Sequence, residues 1–198
     1  MNLFQGMKYL ASVDERNCMR ILPEKTTAII IDLQERLLPH MHESEALLDR
    51  CTILIKGLSA LGIRMLVTEQ YPSGLGKTVT AISSLPTGGN TVEKTAFSCC
   101  DEPAVVTQLK KIGKTTVLIA GIETHVCVLQ TALDLKAEGF EPVIVADAVS
   151  SRRKSDRKIA LQRMREEGCR VTTVESILFE LMRTSRHTAF KEISKLVK

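Results

Sequence analysis

The sequence has no tryptophan and only two tyrosines in 198 residues, and aromatic residues make up 4% of it. Proteins that grip single-stranded nucleic acid stack bases on aromatic faces, so this chain has little from which to build such a platform. Long apolar runs are also missing. The stretches Ala28-Ile-Ile-Ile and Val117-Leu-Ile-Ala fall far short of the ~20 residues a membrane-spanning helix needs, and no transmembrane segment is expected. The first twenty residues contain Asp14, Glu15 and Arg16 and no long uncharged apolar stretch, which argues against a secretory signal; the acidic pair argues against a mitochondrial presequence. A net charge of +4, with Lys and Arg interleaved among Asp and Glu, points to no polyanionic partner. The six cysteines, Cys18, Cys51, Cys99, Cys100, Cys127 and Cys169, show no Cys-x-x-Cys spacing. A chain of this length does not need disulfides, so reduced thiols in a cytoplasmic protein are expected.

What is present is enough apolar material for one core, at 44% hydrophobic residues. The expectation is a single domain over residues 1–198, with a core at about 26–183 and a C-terminal helical tail at 185–198. Short apolar runs rich in β-branched residues recur at 26–32, 63–68, 115–120, 142–146 and 170–174, and each reads as a buried strand. Segments of helical periodicity lie between them, at 44–61, 102–112, 124–138, 155–167 and 174–183. This alternation is the pattern of an α/β protein, a parallel sheet with helices on both faces. Gly62, Gly113, Gly139 and Gly168 stand where left-handed helix caps are expected. The stretch 70–95, with little periodicity, reads as one long connection. The tail could present Ala189, Phe190, Ile193 and Leu196 on one side, to the domain or to a partner subunit.

In doubly wound sheets ligands sit outside the carboxyl ends of the strands, and three polar residues stand there. Asp32 closes the first strand and reads either as a helix cap or as a general base. Lys94, near the end of the long connection, is by itself an ordinary surface lysine and matters only if it meets the others. Cys127 follows the strand at 115–120 in what reads as the first turn of a helix capped by Thr124. It is either an inert buried thiol or a thiol whose pKa the helix N-terminus lowers. Together the three make a nucleophile, a base for its proton and a cation that favours the charged forms of both.

The segments Ala28-Ile-Ile-Ile-Asp-Leu-Gln, Glu93-Lys-Thr-Ala-Phe-Ser and Gly121-Ile-Glu-Thr-His-Val-Cys-Val, in that order, resemble the isochorismatase-like hydrolase family, as does Ala146-Asp-Ala-Val-Ser-Ser-Arg152. The resemblance implies a three-layer, doubly wound, six-stranded and mainly parallel sheet, and carries the family's catalytic triad onto Asp32, Lys94 and Cys127. It also implies a non-proline cis peptide at Ile122–Glu123, with the backbone amides of Glu123 and Cys127 forming an oxyanion hole. Metal-bearing members of the family use an Asp-x-His pair and a further His, whereas the matching stretch here, Thr68-Glu-Gln-Tyr-Pro-Ser-Gly-Leu-Gly76, has no histidine. No metal and no cofactor are therefore expected. The Thr-Glu-Gln-Tyr-Pro pattern is similar to a subgroup of isochorismatase-domain proteins whose substrates are mostly unassigned. True isochorismatases do not use a cysteine, so Cys127 favours acyl transfer, with hydrolysis of a small amide through a thioester the leading reading.

Gln34, Tyr71, Phe97 and His125 are candidate substrate contacts, each with a duller alternative as cap, loop anchor, core residue or solvent-facing side chain. The basic run Arg152, Arg153, Lys154, Arg157 and Lys158 reads as a solvated helix start, with phosphate binding or subunit pairing left open. The expected partners are a small-molecule substrate and further copies of the chain, with no nucleic acid and no membrane. The competing reading is a catalytically silent binding or scaffold module on the same fold.

Overall fold

The structure, a computed structural model, describes residues 20–88 and 91–198. The reading of the N-terminal segment and Cys18 lie outside the described residues. Six strands form one sheet: β1 (Thr26–Ile31), β2 (Met65–Gln70), β3 (Thr91–Lys94), β4 (Thr116–Ile122), β5 (Glu141–Ser150) and β6 (Arg170–Thr172), in the order β3-β2-β1-β4-β5-β6. Every pairing is parallel. The apolar runs are continuous rather than alternating because both faces of the sheet are covered. Along β1, Ala28 and Ile30 enter one core, and Ile29 and Ile31 enter the other.

The first core is closed by α1 (Ser44–Ala60), through Leu47, Leu54 and Leu58, and by α7 (Val174–Met182), through Ile177 and Leu181. The second is closed by α4 (Pro103–Ile112), α5 (Leu129–Ala137) and α6 (Lys154–Glu166), through Val105, Leu109, Leu135 and Met164. The tail forms α8 (Phe190–Leu196), which buries Ile193 in the first core and sets Phe190 edge-on to Phe179. Among the described residues no helix is long and apolar enough to cross a membrane.

Two features differ from the sequence reading. The stretch 70–95 is not one irregular connection. It holds two short helices, α2 (Pro72–Leu75) and α3 (Thr80–Ser83), and the edge strand β3. That strand has four residues, buried only at alternate positions, and two of them are the charged Glu93 and Lys94, so it lacks the apolar run that marks the others. The segment 124–138 is not one helix capped by Thr124. It opens with a wide π-type turn over Thr124–Val128, the residue before it is Glu123, and the Thr124 hydroxyl is buried without a partner.

Gly121 sets how closely β1 and β4 approach. It pairs with Ile31, its φ is +113°, and a Cβ there would lie 2.0 Å from the Ile31 carbonyl oxygen. Only glycine fits a backbone of that shape pressed on another backbone. Gly121→Ala is therefore expected to cost more than about 4 kcal/mol or to prevent folding; a urea midpoint close to the wild-type value would contradict this.

Five thiols are free among the described residues, and all but Cys100 are buried. Burial is the first cause in each, pushing Cys99 up to about 11, Cys100 and Cys127 up to about 12, and Cys51 and Cys169 also upward. The unfolded chain then loses these protons first, from about pH 8.5. Their contribution to stability is whole below that pH and drains away as pH climbs toward the folded-state values. The urea midpoint should fall between pH 8 and pH 10.5, and fall less steeply in Cys51→Ala; a flat profile would count against burial as the cause.

Candidate active site

The strand order turns at β1 and β4: the chain winds outward to β2 and β3 on one side and to β5 and β6 on the other. The carboxyl ends of β1 and β4 flank this switch point, where a crevice opens in doubly wound sheets. Asp32 follows β1 directly. It is fully buried with φ of 53°, a left-handed conformation that Asp tolerates better than most residues. The turn is held by the Asp32 amide donating to Thr68 O (3.2 Å) and the Gln34 amide donating to Asp32 O (2.8 Å).

The Asp32 carboxylate has both oxygens engaged. The Thr68 hydroxyl donates to Oδ1 at 2.7 Å, and the Lys94 ammonium lies 2.8 Å from Oδ2. Both side chains of that ion pair are fully buried. Lys94 reaches the pair from β3, two strands away, and its Nζ has further acceptors in Gln70 Oε1 (2.6 Å), Ala96 O (3.2 Å) and Phe97 O (3.3 Å). Cys127 Sγ stands 3.6 Å from the same nitrogen. Burial pulls the Lys94 ammonium down, but the Asp32 charge, helped by its thiol neighbours, outweighs that and holds its pKa above the usual lysine value. Losing either partner alone would leave an uncompensated buried charge, a cost of about 3–5 kcal/mol.

The Cys127 thiol runs opposite to the lowered pKa expected of a helix N-terminus. It is pushed up to about 12, first by burial and then by the Asp32 carboxylate, with Lys94 only partly offsetting them. The thiol therefore stands protonated beside the Asp32–Lys94 ion pair. The Ile122–Glu123 peptide is cis. The amides of Val126 and Val128 both donate to Glu123 O at 3.1 Å.

The other sequence candidates are placed differently. Gln34 does not offer its side chain to the crevice. Its Nε2 donates to Gln70 O (2.9 Å) and Gly76 O (2.7 Å), and its Oε1 accepts from the Gln70 amide (2.7 Å), so the amide is spent on holding the backbone. Tyr71 and Phe97 are each 56% exposed, and the Tyr71 amide donates to Lys94 O at 2.8 Å. Tyr71 also lines an open cavity of about 210 Å³ with Ser73, Glu93, Lys94 and Glu102. His125 Nδ1 is 2.9 Å from Ser151 Oγ. The Glu123 carboxylate pairs with Arg152 (3.3 Å) through Oε1, while Oε2 is buried without a partner.

Two residues that the sequence reading passed over touch these side chains: Thr68 on Asp32 and Gln70 on Lys94. Both sit at the carboxyl end of β2, and the rule that singled out Asp32 applies to them as well. Glu69, between them, is taken up by the Thr78 amide (2.7 Å), the Thr78 hydroxyl (2.8 Å) and Lys77 (3.3 Å). Among the described residues no group of three His, Cys, Asp or Glu side chains is arranged to hold a metal ion.

The isochorismatase domain model matches residues 26–176. Isochorismatase family protein 1B of Dictyostelium discoideum is 38% identical over 188 residues, covering 92% of this chain and 91% of that protein. The structure of MAR1 ribonuclease from Caenorhabditis elegans superposes with a TM-score of 0.85 at 38% identity, covering 90% of this chain and 92% of that one. The YcaC gene product of Escherichia coli, an octameric hydrolase of unknown specificity, has the same fold at a TM-score of 0.85 and 23% identity, over 89% and 88% of the two chains. Motif order, sheet topology and these matches agree: the chain belongs to the isochorismatase-like hydrolase family.

Proposed function

We propose that this protein is a metal-independent cysteine hydrolase that cleaves a small amide through a thioester, with Cys127 as nucleophile, Asp32 as base and Lys94 as the cation that orders them. The observation that carries the reading is the contact of all three side chains at one buried point, Lys94 Nζ lying 2.8 Å from Asp32 Oδ2 and 3.6 Å from Cys127 Sγ. A carbonyl carbon placed on Sγ takes the sulfur's electron pair as the thiol proton passes to Asp32. Because the thiol is held near 12, proton transfer accompanies attack rather than preceding it. The developing oxyanion is received by the backbone amides of Glu123 and Cys127, each worth roughly 3 kcal/mol in comparable sites. Protonated Asp32 then returns its proton to the departing nitrogen, the C–N bond breaks, and a thioester remains. Water enters, Asp32 takes its proton, and collapse of the second tetrahedral intermediate releases the carboxylic acid and restores the thiol. Lys94 stays an ammonium throughout.

The same reading treats the protein as cytoplasmic, which keeps its thiols reduced, and as a homo-oligomer like the octameric YcaC, with exposed Tyr71 and Phe97 at the mouth of the site available to a neighbouring subunit or to substrate. A second reading, cleavage of RNA, is favoured by the likeness to the nematode ribonuclease. The catalytically silent module remains the reading to adopt if no chemistry is found at Cys127.

Intact-protein mass spectrometry after incubation with small amides and aldehydes separates these. An adduct should form on Cys127 of the wild type and be absent from Cys127→Ala, and turnover of any substrate so identified should fall by roughly 10⁴-fold or more in that variant. With iodoacetamide, Cys127 should react slowly at pH 7 and about tenfold faster per pH unit through pH 9, as a thiol with a raised pKa must. RNA cleavage that survives Cys127→Ala would sink the cysteine mechanism, and the absence of any adduct would favour the silent module.

A further inference from the structure

Lys94 is the member of the triad that the fold has most trouble placing. It stands on a four-residue edge strand, and its ammonium must cross β2 to reach Asp32. The shortest contact on its Nζ is not the carboxylate but Gln70 Oε1, at 2.6 Å against 2.8 Å for Asp32 Oδ2. An ammonium has three protons to place. One goes to Gln70 Oε1, the Asp32 carboxylate is held as an ion pair, and Ala96 O, Phe97 O and Cys127 Sγ lie around the same nitrogen at 3.2, 3.3 and 3.6 Å.

The Gln70 amide can present only its oxygen to Lys94. Its Nε2 donates to Thr95 O at 2.7 Å, and turning it over would set an NH₂ group against an ammonium and a carbonyl against a carbonyl. Gln70 is itself held by Gln34, which accepts from its amide at 2.7 Å and donates to its carbonyl at 2.9 Å, while also donating to Gly76 O at 2.7 Å. Gln34 is fully buried and Gln70 is 9% exposed, so water competes little for these bonds. The bonds form a continuous line from the Gly76 backbone through two glutamines to the Lys94 ammonium.

We infer that Gln70 is a positioning residue for the hydrolytic site: its side-chain oxygen holds Lys94 charged and aimed between Asp32 and Cys127, and Gln34 holds Gln70 in the register that makes this possible. The proposal rests on Cys127 being the nucleophile. Without the Gln70 acceptor, the Lys94 ammonium is under-satisfied in a dry site and either gives up its proton or swings toward the carbonyls of Ala96 and Phe97. Either change removes positive charge from beside Cys127 Sγ, and thiolate becomes harder to form.

The test is the rate of Cys127 alkylation by iodoacetamide, followed by peptide mass spectrometry from pH 7 to pH 10 with Cys100 as an internal reference. Gln70→Met, close in shape and without an acceptor, should slow Cys127 roughly tenfold across the range, the effect of about one pKa unit, and leave Cys100 unchanged. In a Lys94→Met background the same substitution should have no further effect, because the two residues act through one group. If Gln70 merely pinned the loop through Thr95, Gln70→Met would loosen the site and speed alkylation, or its effect would multiply with that of Lys94→Met; either result overturns the proposal. Should Gln70→Met fail to fold, Gln70→Ala takes its place; it too offers Lys94 no acceptor and should slow Cys127, and unchanged or faster alkylation would reject the positioning role. A wild type that forms no adduct with any acyl compound defeats the nucleophile assignment, whereas a labelled wild type with an unaltered Gln70→Met defeats only this inference.

Discussion

The structure depends most on a lysine ammonium and an aspartate carboxylate placed where there is no water to solvate them. The Asp32–Lys94 pair is fully buried, and each partner is tolerable only because the other is present. That requirement fixes a good deal around it. It draws the edge strand β3 into register with β2, it requires Thr68 and Gln70 to supply hydrogen bonds, and it orients the loop carbonyls of Ala96 and Phe97 inward. Cys127 is then set against a site already charged and already dry. Its raised pKa follows from that setting rather than from any property of the turn on which it sits.

Much of this was legible in the residues. The apolar runs mark β1, β2, β4 and β5 because strands covered on both faces are apolar along most of their length, and the glycines between helix and strand mark the helix ends. Asp32 was conspicuous as an acid closing an apolar strand, and Cys127 as a thiol just beyond another. Lys94 was different. Nothing local distinguishes it from a surface lysine, and its burial is decided by a carboxylate 62 positions earlier, which the resemblance to a family supplied and periodicity could not.

What escaped the residues has a common physical origin. β3 is short and half exposed, so it has no run to detect. Thr124 has the right chemistry for a helix cap, but the chain enters the turn through Glu123 and leaves the hydroxyl buried and unpaired. The nearest backbone amides would lower the Cys127 pKa, while desolvation and the Asp32 charge, both tertiary, dominate it and raise it. Gln34 reads as a substrate contact because it lies two residues beyond Asp32, yet all of its amide bonds go to backbone groups. Local rules worked where the answer was local.

The contact of Gly121 with Ile31 has one more implication. Asp32 and Cys127 hang from two adjacent central strands whose separation is set by backbone against backbone, with no side chain between them at that point. The separation of Asp32 from Cys127 thus rests on the sheet, insulated from changes at the rim where Tyr71 and Phe97 face outward. A scaffold built this way can have its rim rewritten while the buried side chains beneath it keep their spacing, so a change in what the crevice admits would cost the interior little.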